Sequence, residues 1–88
     1  MQRGLPIQVI AHIDACGRLK PLRFQYEDRQ RCKHTAYVRE VASFKEIPFV
    51  GVEAQTFVCR VREEGMERVY ELKYAFRQHQ WTLLRRLS

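Results

Sequence analysis

The chain has 88 residues, with 16 Lys and Arg against 10 Asp and Glu and a net charge of +6. At roughly 100–200 residues per domain this is one domain, residues 1–88, with little room for an enclosed active site beside its own core. No apolar run approaches the ~20 residues of a membrane helix. The start Met-Gln-Arg-Gly-Leu-Pro lacks the apolar stretch of a secretory signal, and 45% hydrophobic content is too much for a disordered tail, so the expectation is a folded, soluble, cytoplasmic protein.

The dominant period is two. In Ile7-Gln8-Val9-Ile10-Ala11-His12-Ile13-Asp14 the odd positions are apolar and the even ones mostly polar, which is the signature of a half-buried strand. Ala15-Cys16-Gly17-Arg18 reads as a turn, with Gly17 free to take positive φ. In Pro21-Leu22-Arg23-Phe24-Gln25-Tyr26-Glu27 the alternation places Leu22, Phe24 and Tyr26 on one face and Arg23, Gln25 and Glu27 on the other. Pro21 cannot donate to a ladder and should open this strand or lie at an edge. Asp28-Arg29-Gln30 is a polar turn.

Residues 31–47 fit two patterns. Tyr37, Val38, Val41 and Phe44 fit a helical stripe for which Thr35 would be an N-cap. Cys32, His34, Ala36 and Val38 alternate instead, and the segment is rich in β-formers. The reading adopted is a long strand that bends near Arg39 and stops at Pro48, with Phe49-Val50-Gly51 as a connection. The helical alternative for residues 35–47 stays open at this level.

The second half is cleaner. Gln55, Phe57, Cys59 and Val61 alternate with Thr56, Val58, Arg60 and Arg62. Glu63-Glu64-Gly65-Met66-Glu67 reads as a hairpin loop with Gly65 left-handed. Tyr70, Leu72 and Tyr74 share a face opposite Glu71 and Lys73. Arg77-Gln78-His79-Gln80 is a polar turn, and a last strand follows with Trp81 and Leu83 inward. Six strands joined by short connections must pair antiparallel, because parallel neighbours need crossovers of a dozen or more residues. With no helix to cover the apolar face, the all-β meander should curl into a small barrel or a strongly bent roll. The expected core is Phe24, Tyr26, Phe57, Tyr70, Leu72, Tyr74, Trp81 and Leu83.

The series Asp14-x-x-Gly17-x-x-x-Pro21-Leu22-Arg23-Phe24, Phe57-x-Cys59, Tyr70-Glu71-Leu72-Lys73-Tyr74 and Trp81-x-Leu83-x-Arg85 resembles a family of small bacterial all-β proteins of unknown function. It is also similar to short domains encoded with Y-family translesion polymerases. The resemblance runs from about residue 7 to residue 86. It implies a β-roll or barrel, lends some support to a nucleic-acid setting, and carries over no catalytic residue.

Three cysteines, Cys16, Cys32 and Cys59, form no C-x-x-C and no even-numbered framework, so they read as reduced thiols. Candidate metal ligands are His12, Cys16, Cys32, His34, Cys59 and His79. Structural zinc sites bring ligands in close pairs, and only Cys32-x-His34 is one, so neither a metal nor another cofactor is expected. As a nucleophile and base the same two residues would sit about 6.5–7 Å apart along a strand, too far for direct contact of short side chains. Glu27-Asp28 and Glu63-Glu64 read as solvated turn pairs, and no phosphate-binding glycine loop exists. The chain is therefore not expected to be an enzyme.

Two surfaces remain. The first 45 residues hold nine Lys/Arg against four Asp/Glu, and the rest hold seven against six. Arg18, Lys20, Arg23, Arg29, Arg31 and Lys33 gather around the second hairpin, with Arg85 and Arg86 near the end of the chain. Such a surface suits a weak, mostly sequence-independent nucleic-acid contact if Tyr37, Phe44 or Phe49 is free to stack on bases. Ile10, Val58 and Leu84 fall on the otherwise polar strand faces and would make an apolar interface if they meet. A non-catalytic binding or adaptor module, acting through protein contacts that include homodimerisation, is the favoured reading, and nucleic-acid binding is the alternative.

Overall fold

The computed structural model describes residues 4–88, all in strands and their connections. Six strands follow one another: β1 (Leu5–Ile13), β2 (Leu19–Glu27), β3 (Lys33–Ile47), β4 (Ala54–Glu63), β5 (Met66–Ala75) and β6 (Gln80–Arg86). Each pairs antiparallel with the next, and β6 returns to β1, so the sheet closes into a barrel. Closure pairs the two outer strands with each other along Leu5–Ile7 and so shortens the free edges an open meander would leave.

Residues 33–47 are one strand, and the bend expected near Arg39 is present. The β3–β4 register shifts between Val38 and Glu40, and again between Val41 and Ser43. Each extra residue is a bulge that adds bend and twist. The inward positions of β3 consequently run Val38, Val41, Phe44, opposite Val61, Cys59 and Phe57. That three-residue spacing also produces the helical stripe in the sequence.

The inward faces carry the expected core. Phe24, Phe57, Tyr70, Leu72 and Leu83 are buried, with Tyr26, Tyr74 and Trp81 partly buried against them. Ala36, Cys59 and Val61 complete it. Phe24 meets Tyr70 edge-on at 5.5 Å, while Phe57 and Tyr74 pack on Trp81 at 5.6 and 5.0 Å. Leu72 lies between these two aromatic groups on β5. Each such pair adds about 0.5–1.5 kcal/mol beyond the area it buries.

Two strand-face assignments need correction. Leu22 is 42% exposed, whereas Pro21 is buried. Ile10 pairs with Arg23 and Ala11 with Pro21, so Leu22 is an extra residue that breaks the alternation. Glu63 is not in a loop. It pairs with Met66 as the last inward position of β4, and the turn is only Glu64 and Gly65, at φ 52° and 76°. Positive φ at both central residues is the two-residue hairpin geometry whose twist matches the strands.

Candidate functional site

Antiparallel alternation gives the barrel two ends of different chemistry. The β1–β2, β3–β4 and β5–β6 connections share one end, which sets exposed apolar side chains beside Asp14, Arg18 and the Glu53–Arg77 ion pair. Ile13, Phe49, Val50, Val52 and Phe76 are exposed there, beside a cleft of about 440 Å³ lined in part by Ile13, Leu19, Ile47, Pro48, Tyr74 and Phe76. The β2–β3 and β4–β5 turns share the other end, which is polar.

Glu63 is the centre of the polar end. It is 2% exposed, and an isolated buried carboxylate is costly unless donors surround it. Tyr70 donates its hydroxyl to Oε1 at 2.5 Å, Tyr26 donates to Oε2, and Arg68 Nε lies 3.2 Å from Oε1. These three partners come from inward positions of β5 and β2, so the alternation that builds the core also delivers the donors. Burial pushes both phenols above their ordinary range, and the bonds to Glu63 push the same way.

His34 flanks this group. Its ring stacks on Tyr26 with centroids 5.0 Å apart, and Nε2 lies 2.8 Å from Asp28 Oδ2. The hydrogen bond to Asp28 raises the His34 pKa above 6.5 and lowers that of Asp28 below 3.8. Asp28 is itself fixed, because its Oδ1 accepts the N–H groups of Gln30 and Cys32 at 2.8 and 2.9 Å. The other ring nitrogen, Nδ1, is buried without a hydrogen-bond partner. It lies 3.4 Å from Glu64 Oε2 and 3.9 Å from Glu63 Oε2. His34, Glu63 and Glu64 offer three ligand atoms within 4.8 Å of one another.

The other candidate ligands are dispersed. Cys16 and Cys32 are exposed and Cys59 is buried in the core, where desolvation pushes its thiol up to about 12. His12 is exposed on β1, and His79 holds Tyr74 through Nδ1 at 3.1 Å. Cys32 precedes β3, and both ring nitrogens of His34 face carboxylates. Of Glu63-Glu64, read as solvated, Glu64 is exposed and Glu63 is not. The signal lay in the sequence: continuing Phe57, Cys59, Val61 by one more step lands on Glu63.

The basic residues do not form one patch. Arg18 lies in the β1–β2 turn, and Arg29 and Arg31 lie in the β2–β3 turn, at opposite ends of a strand about 30 Å long at 3.3 Å per residue. Arg23 and Lys33 do share the outward face of the β2–β3 pair, with Glu27 opposite Lys33 and exposed Tyr37 opposite Arg23. Lys20 is exposed opposite His12. Arg85 is held by Glu71 at 2.8 Å, and Arg86 is exposed opposite Tyr70. Val58 and Leu84 lie nearly level, two strands apart, with Glu71 and its ion pair to Arg85 between them. Ile10 lies further along the barrel, because Leu5, five residues before it, is opposite Leu83.

No family model, no curated protein and no solved structure matches this chain.

Proposed function

We propose that the chain is a non-catalytic binding module that works through protein contacts, and that its first partner is a second copy of itself, joined along β3. The observation that carries this is the β3 edge facing β2. The β2–β3 ladder ends at Arg23↔Tyr37, so among the described residues Val38–Ile47 has a strand partner only on the β4 side. A long exposed edge is a template for another strand.

That edge is complementary to itself. Laid antiparallel about its midpoint, Glu40 meets Lys45, Arg39 meets Glu46, Val41 meets Phe44 and Ala42 meets Ser43. The bulge at residues 41–43 makes the faces agree at the centre: Val41 and Phe44 both point inward, opposite Cys59 and Phe57, whereas Glu40 and Lys45 both point outward, opposite Arg60 and Thr56. Opposite charges and apolar pairs directly across a ladder each contribute about 0.2–1 kcal/mol. Phe44, 62% exposed, would be covered by such a partner.

Light scattering and sedimentation test this at micromolar concentrations. The native chain should be a dimer, and Glu40→Lys and Lys45→Glu should each be monomeric, since each sets like charges opposite. Mixed together, the two variants should recover a heterodimer. A strictly monomeric native chain overturns the proposal, as does a dimer indifferent to both substitutions.

The exposed Arg23–Tyr37 pair, with Lys33 on the same face, favours a second reading, single-stranded nucleic acid bound by stacking and phosphate contacts. Its affinity for a labelled oligonucleotide would fall with salt at a log–log slope of about 0.7 per phosphate contacted. Arg23→Glu should abolish it, and a salt-independent affinity would remove this reading.

A further inference from the structure

We propose that the polar end of the barrel is a binding site for one divalent cation of the zinc class, with His34 Nδ1, Glu63 Oε2 and Glu64 Oε2 as its ligands. The sequence pairs His34 with Cys32, but the fold pairs it with these two carboxylates.

Three observations converge on this site. The first is the unsatisfied atom. Buried polar atoms are nearly always hydrogen-bonded, and each exception needs an explanation. His34 Nδ1 is buried, lacks a hydrogen-bond partner and faces two carboxylate oxygens.

The second is the surrounding shell. A metal-bound histidine almost always donates its other ring N–H to a carboxylate, which fixes the tautomer and leaves a lone pair toward the metal. Asp28 stands 2.8 Å from Nε2 in that role, and two backbone N–H groups hold it in place. Glu63 is equally constrained: Tyr70 and Arg68 occupy Oε1, while Oε2 takes one hydroxyl from Tyr26 and keeps a lone pair.

The third is size. Tetrahedral bonds of about 2.0–2.1 Å set ligand atoms roughly 3.3–3.4 Å apart. Nδ1 to Glu64 Oε2 is already 3.4 Å, and Nδ1 to Glu63 Oε2, at 3.9 Å, needs only a small contraction. Glu64 is mostly exposed and can turn to close the set.

The donor set selects the cation. One imidazole with two carboxylates suits zinc, cobalt or nickel better than magnesium or calcium, which prefer oxygen alone. The charge balance agrees. Asp28, Glu63 and Glu64 carry three formal negative charges around the His34 ring, and Arg68 pairs with Glu63, so with His34 neutral as a ligand two charges are left for a divalent ion to cancel. The three protein ligands leave a fourth position to solvent.

The test uses the full chain freed of metal by chelation, titrated with Zn²⁺ by calorimetry and with Co²⁺ by absorption. One equivalent should bind, and the Co²⁺ form should show intense tetrahedral visible bands without the near-ultraviolet thiolate band that Cys16 or Cys32 would add. His34→Gln and Glu64→Gln should each weaken binding at least tenfold. Asp28→Asn, which keeps the Oδ1 acceptor of the turn and removes the carboxylate behind His34, should weaken it by about 10–100-fold. Circular dichroism of the metal-free variants checks that they fold, and exposed Glu64 is the substitution least able to disturb the barrel. Absence of Zn²⁺ binding to the folded native chain overturns the proposal. So does a thiolate band, or binding that survives both His34→Gln and Glu64→Gln.

Discussion

Glu63 shows how a small core can hold a charge. Its carboxylate takes the inward position where β4 would otherwise bury another apolar side chain, and hydroxyls from two strands and a guanidinium satisfy it. Tyr70→Phe keeps the ring and its packing on Phe24 but removes one donor. Leaving a buried acceptor short of a partner costs about 1–3 kcal/mol. The urea midpoint should fall accordingly with an unchanged slope, and an unaltered midpoint would mean that water replaces the hydroxyl. Cys59 gives a second test at this scale. Its burial holds the thiol in the neutral, unreactive form. A disulfide reagent at neutral pH should therefore titrate Cys16 and Cys32 promptly, and Cys59 only as the chain unfolds. The inward position of Cys59 follows from the strand alternation as read from the sequence, whereas Glu63, one step beyond Val61, reads there as a solvated loop residue and is buried instead. What the alternation could not give was which strand brings a donor to which acceptor, because that depends on the closed register.

Two of the connecting elements repeat one design. Asp14 Oδ1 accepts the N–H groups of Cys16 and Arg18, and Asp28 Oδ1 accepts those of Gln30 and Cys32. In each loop the fourth residue is left-handed: Gly17 at φ 82° and Arg31 at φ 63°. The loops differ in what that conformation costs. No atom lies within 4 Å of a Cβ built on Gly17, so Gly17→Ala meets no clash and pays only for its backbone, about 1–2 kcal/mol. In a domain of this size each 1 kcal/mol lowers Tm by about 4–8 °C. Arg31→Gly should leave Tm level or raise it, because it relieves the same strain. Equal effects of the two substitutions would show that the loops do not share this geometry. The turns themselves were legible as Asp- and Gly-bearing breaks between alternating segments. The bulges were not. One extra residue reverses the face of everything beyond it, which is why Leu22 emerges exposed and Pro21 buried.

On the scale of the whole molecule, six antiparallel strands follow from the period-two pattern and the short connections, but how the sheet closes does not. Among the described residues the seam between β1 and β6 has three registered pairs, Leu5↔Leu83, Pro6↔Thr82 and Ile7↔Trp81, and Pro6 has no N–H to give. By contrast, β4 and β5 pair along ten positions, from Ala54↔Ala75 to Glu63↔Met66, and hold most of the buried core between them. Stability should therefore be graded around the barrel. Native-state hydrogen exchange separates local openings from global unfolding. Amides of β4 and β5 should exchange last, at the free energy of global unfolding, and those of β1 facing β6 should exchange first through opening of the seam. Opening there uncovers Leu5, Ile7 and Trp81 but leaves Glu63 with its donors from Tyr70 and Arg68, both on β5. The polar end should thus keep its geometry while the seam breathes. Equal protection of β1 and β4 amides would instead mean that closure of the barrel and formation of the core are one cooperative event.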